Sequence, residues 1–136
     1  MDLNQAFLEL KETALQLSDD LDTVSNSIRT IETTLKEKKL HILFSHFVGE
    51  VDGIETFLSW ERTTDDRKSP WRLHVVDVEE GNVTHKNLLC NLKVDKRLYF
   101  LPHIDPFIKA FTQYLKELRE QLEKTTLEFE DFNESL

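Results

Sequence analysis

Apolar side chains recur from the start of the chain in alternating steps of four and three: Leu3, Phe7, Leu10, Ala14, Leu17, Leu21, Val24, Ile28, Ile31 and Leu35. A period of about 3.5 residues held this long marks a helix that offers a continuous seam to another helix. Neither Gly nor Pro interrupts residues 1–38, and Lys36, Lys38 and Lys39 gather where the negative end of the helix dipole favours cations. A helix is therefore predicted over 1–38, roughly 50 Å long at about 1.5 Å per residue. The same steps return in Ile104, Ile108, Phe111, Leu115, Leu118, Leu122, Thr125, Phe129, Phe132 and Leu136. Asp105-Pro106 reads as a start signal, an N-cap carboxylate followed by a proline whose missing N–H costs nothing at the first helical position. A second long helix is expected over 105–133.

Between the seams the period changes to two. Ile42, Phe44 and Val48 alternate with His41, Leu43, Ser45 and Phe47, and after Val51-Asp52-Gly53 the residues Ile54, Leu58 and Trp60 alternate with Glu55, Phe57, Ser59 and Glu61. Asp-Gly between two alternating runs is a hairpin signal. Thr63–Ser69 reads as a loop, Trp71, Leu73 and Val75 as a third strand, Gly81-Asn82 as a turn, and Leu88, Cys90, Leu92 and Val94 as a fourth strand. Asp95 is expected to cap a short helical turn over 95–101 that Pro102 stops. The fold class expected is α+β: a meander of about four antiparallel strands over 40–94 flanked by two long terminal helices with heptad seams, in a single domain of residues 1–136. Pairing across Asp52-Gly53 and then folding the next hairpin over the Thr63–Ser69 loop places Ile42, Phe44, Val48, Ile54, Leu58, Trp60, Trp71, Leu73 and Val75 on one face.

This layout leaves apolar surface over. Four strands make a sheet about 20 Å wide, so a helix of roughly 50 Å overhangs it. The distant seam residues, Leu3 to Leu17 and Leu122 to Phe132, must cover each other, a second copy or another protein. Leu8 and Leu15 widen the first helix's apolar arc beyond a two-helix seam, and its flanking positions carry few charges to select a partner. On the sheet's second face Phe47 and Phe57 sit among polar residues. The candidate interface is therefore Leu3, Phe7, Leu8, Leu10, Leu15 and Leu17 with Phe47, Phe57, Phe129 and Phe132.

Charge narrows the partners. The chain of 136 residues carries 17 Lys+Arg against 26 Asp+Glu, a net −9. That balance opposes nucleic-acid binding, which needs a basic footprint, and there is no polybasic stretch for an anionic membrane. No apolar run approaches the ~18 residues of a transmembrane helix, and the N-terminus lacks signal-peptide grammar. Residues 1–28 hold six acidic and one basic residue, residues 116–136 seven and three, and the middle balances. The acidity thus lies on the helix ends farthest from the sheet. One cysteine fits a reducing cytoplasm.

Catalytic grammar is sparse. His41, His46, His74, His85 and His103 show no metal-ligand spacing, and no Cys-x-x-Cys or glycine-rich phosphate loop occurs, so no metal and no cofactor is expected. Cys90 reads as a small buried hydrophobe without a basic neighbour on its face. His41 and His74, with Glu61 near, form the best acid/base set; Trp60 and Trp71, expected side by side, form the best ligand shelf. The order of helix, antiparallel strands and helix, with heptads at both ends, resembles prefoldin-type chaperone subunits. The middle is richer in Trp and Phe than the glycine-rich hairpins of that family, so the resemblance implies layout only. The function expected is a non-enzymatic protein–protein interaction module, an adaptor or chaperone-like subunit that self-associates. The alternatives are a ligand binder or enzyme using Trp60/Trp71 or His41/His74, and an acidic inhibitor of the immunity type.

Overall fold

A computed structural model describes residues 2–63 and 71–135. A four-stranded antiparallel sheet stands in sequence between two long helices, the α+β arrangement that the patterning predicts. α1 spans Leu3–Glu37, β1 Phe44–Val51, β2 Ile54–Arg62, β3 Trp71–Glu79, β4 Asn82–Leu88 and α2 Val94–Ser135, with one 3-10 turn at Leu89–Asn91. The loop expected over Thr63–Ser69 lies, after Thr63, outside the described residues. The chain divides into two units, residues 1–101 and 102–136.

Local chemistry sets the ends of α1. Asp2 Oδ1 accepts the Asn4 N–H at 3.2 Å, an N-cap that the heptad pattern alone does not reveal. At the other end Lys39 adopts a left-handed φ of 54°. Its N–H donates to Lys36 O at 2.9 Å, and the Leu40 N–H to Leu35 O at 3.1 Å. These two bonds are a Schellman closure, with lysine where glycine is the usual residue.

The strands follow in the order β1-β2-β3-β4. Asp52 (φ 52°) with Gly53 (φ 81°), and Glu80 (φ 52°) with Gly81 (φ 80°), close two hairpins. Positive φ at both central residues is the type I′ geometry whose twist matches that of the strands. The register pairs Phe44 with Trp60 and Trp60 with Leu73, and Leu58 with Val75, so these side chains share a face as expected. Two residues depart from the expectation: Ile42 lies ahead of β1, which begins at Phe44, and Val48 is the extra residue of a bulge between Phe47 and Gly49.

The first unit's core gathers Leu58, Trp60, Leu73 and Val75 from the sheet, Ile28 from α1, Leu89 from the 3-10 turn and Phe100 from α2. Trp60 is fully buried, and its Nε1–H donates to Leu40 O at 2.6 Å. β4 ends opposite His74, leaving the Leu73 N–H without a strand to bond. Glu32, 3% exposed, reaches from α1 to take its place: Oε2 accepts from Leu73 N at 2.9 Å and from Arg72 Nε at 2.7 Å. A carboxylate thus completes the edge of a β-ladder.

Two elements differ from the sequence reading. The fourth strand is Asn82–Leu88, not the run from Leu88 to Val94. As an edge strand it is almost wholly exposed, so Asn82–Asn87 shows no buried period to read, while the apolar run that follows makes the turn that buries Leu89. Nor does Pro102 stop a short helix: α2 runs unbroken from Val94 to Ser135, with Pro102 and Pro106 inside it. Each proline removes one N–H from the ladder and crowds the carbonyl four residues back, and the helix continues through both. Asp105, expected as an N-cap, lies within the helix and pairs with Lys109 at 2.9 Å. In the second unit, Phe107 and Phe111 lie one turn apart with ring centroids 5.9 Å from each other.

Candidate interaction surface

The α1 seam changes character partway along. From Leu21 to Leu35 its residues are half-buried or buried, Ile28 and Glu32 most of all. Ser25, on the same stretch, accepts from Arg97 Nη1 at 2.9 Å. From Leu3 to Leu17 the same heptad is bare: Leu3 is 72% exposed, Phe7 58%, Leu10 63% and Leu17 47%. Leu8 and Leu15 beside it are equally open. A helix position three or four along lies on the same face, so these residues form one apolar arc and not scattered surface leucines. In α2, Leu122, Leu127, Phe129 and Phe132 are also exposed.

The sheet's second face is mixed. Phe47 is exposed and Phe57 half-buried, their rings edge to face at 5.7 Å. Beside them lies a polar network. Ser59, without solvent exposure, shares a hydrogen bond with Ser45 at 2.9 Å and donates to Glu61 Oε2 at 2.6 Å; Glu61 in turn pairs with Lys86. His74 is buried, with Nδ1 2.9 Å from Arg72 O and Nε2 3.3 Å from Thr63 Oγ1. Donation from Nδ1 to the carbonyl leaves Nε2 as acceptor from Thr63, the neutral imidazole. Burial holds His74 below its ordinary pKa, against the Arg72 carbonyl and Glu61, which pull it up.

His41 is not part of that network. It precedes β1 and stacks on Trp71 at 5.5 Å and 6°, so the two imidazoles proposed as one acid/base set belong to different clusters. Trp60 and Trp71 do lie together, centroids 6.0 Å apart, but Trp60 is core and not a shelf. Cys90 corrects a further expectation: Arg72 Nη2 donates to its Sγ at 2.9 Å. Cys90 sits in the 3-10 turn and not in a strand, so its neighbours come from the end of β3. The Arg72 guanidinium spans Glu32 and Cys90, and the Glu32 hydrogen bond raises its already high pKa.

Among the described residues no group of three or more His, Cys, Asp or Glu is arranged to hold a metal ion, and no helix is long and apolar enough to cross a membrane. Compared with known proteins, the chain matches no family model, no curated protein and no solved structure.

Proposed function

We propose that the protein is a non-enzymatic interaction module, an adaptor or chaperone-like subunit, that self-associates in the cytoplasm through the open half of the α1 seam. The observation that carries this reading is the bare heptad from Leu3 to Leu17, continuous in register with the half that the first unit buries. Burial of a Leu or Phe side chain is worth about 1.5–3 kcal/mol, so several such residues held in one arc are a strong drive to associate. Of the six acidic residues in 1–28, Asp2, Glu9, Glu12, Asp19 and Asp22 fall outside the a, d, e and g positions and keep the helix solvated, while Asp20, at a g position, lies past Leu17 and outside the open stretch. The single Cys90 supports a reducing compartment.

The test is a pair of charge insertions, Leu10→Glu with Leu17→Glu, on a stretch far from the sheet. Sedimentation velocity of the variant against the wild type reads association, and circular dichroism reads the fold. The expected result is loss of the associated species with the sheet signal intact. An unchanged sedimentation profile contradicts the assignment of this seam.

A further inference from the structure

A cleft of about 390 Å³ opens in the first unit between the sheet and the opening turns of α2. It falls within the ~300–1,000 Å³ range of clefts that take small ligands. Val75 and Phe100 supply apolar wall, Asp77 and Asp95 carboxylates, Tyr99 a half-exposed aromatic ring, and Lys96 an ammonium. We propose that this cleft receives one arginine side chain of a partner protein. The proposal rests on the interaction-module reading and adds the chemistry of the partner.

Three features select a guanidinium. The Thr56 hydroxyl donates to Asp77 Oδ1 at 2.9 Å across the β2–β3 pair, which orients that carboxylate. An ionised carboxylate has about four acceptor sites, so most remain for a ligand. A guanidinium presents its donors as a planar fork that fits a carboxylate two bonds at a time, and it stacks on aromatic faces such as that of Tyr99. The arginine stem is apolar and needs the wall of Val75 and Phe100. Two carboxylates outweigh the single Lys96, so the local charge of the cleft favours a cation. Lys96 nonetheless opposes the ligand, which makes it diagnostic: its removal strengthens binding of a cation and does nothing comparable for a neutral ligand.

The experiment titrates the full-length isotope-labelled chain with the capped tripeptide alanyl-arginyl-alanine amide, and in parallel with its citrulline counterpart, neutral and nearly isosteric. Amide shifts are followed by heteronuclear NMR. Saturable shifts at Asp77, Asp95, Tyr99 and Phe100 are expected for the arginine peptide, with the citrulline peptide about tenfold weaker. Asp77→Asn lowers affinity by about tenfold and Lys96→Ala, an exposed change that leaves the core alone, raises it by about threefold. Equal response to both peptides, shifts elsewhere on the surface, or no saturable shift overturns the proposal. Sedimentation of the same sample reports α1 association independently, so the failure of one reading is distinguishable from that of the other.

Discussion

Replacing Glu32 by alanine removes the acceptor that ties α1 to the end of β3. Two hydrogen bonds are lost, from Leu73 N at 2.9 Å and Arg72 Nε at 2.7 Å. A buried backbone N–H left without a partner costs about 1–3 kcal/mol. Stripping one member from a buried ion pair costs about 3–5 kcal/mol, but the Arg72 side chain keeps 21% of its surface in water and can recover part of its solvation. Together these place Glu32→Ala at about 2–4 kcal/mol of lost stability. Glu32→Gln keeps an oxygen for Leu73 and loses the charge, so its cost is smaller, about 1–2 kcal/mol. Urea unfolding followed by tryptophan fluorescence is the assay, since Trp60 and Trp71 both lie in this unit. At an m-value of about 1.5–2 kcal/mol/M, the alanine midpoint falls by roughly 1–2.7 M, with glutamine between it and the wild type. If both variants unfold within about 0.5 kcal/mol of the wild type, the carboxylate is not completing the ladder and the reasoning fails.

Two further outcomes follow from local conformation and from burial. Lys39 closes α1 at φ 54°, so Lys39→Gly relieves a left-handed strain and should raise stability by about 0.5–1 kcal/mol, read as a higher urea midpoint; a lower midpoint contradicts the Schellman closure. His74 is held below its ordinary pKa by burial, so the unfolded chain takes up the proton first as the pH falls. Its contribution is therefore full above about pH 6.5 and is lost as the pH falls through the folded-state value. The urea midpoint should drop between pH 7.5 and 5.5, and His74→Gln should flatten part of that drop; an unchanged slope in the variant contradicts it.

What was legible in the sequence was whatever repeats. The Leu3–Leu35 heptad gives α1 away, Asp52-Gly53 sets the first hairpin and the pairing of Phe44 with Trp60, and the alternation of Trp71, Leu73 and Val75 puts Leu73 on the same face. Elements without a buried period were hidden. β4 is wetted on nearly all its length, so its residues show no alternation, and the stronger apolar run of Leu88–Val94 imitates a strand in its place. Pro102 reads locally as a stop because an interior proline removes a donor and crowds a carbonyl, a local cost that does not end α2. In the sequence Glu32 is one more charge beside the seam residue Ile31. That it leaves the helix face to serve a β-strand 41 residues away is a tertiary fact with no local signature. The cleft bearing Asp77 and Asp95 is hidden for the same reason, as its walls come from both the sheet and α2. The heptad itself also carries two messages that composition cannot separate: an inner half that the first unit buries, and an outer half that remains open.

Sedimentation equilibrium of the chain over a range of concentrations decides whether the open half of the α1 seam joins two copies. Self-association through that seam gives a mass that rises with concentration from 16.1 kDa to at least twice that value. A mass that stays at 16.1 kDa at every concentration, with Leu3 to Leu17 still in water, contradicts it.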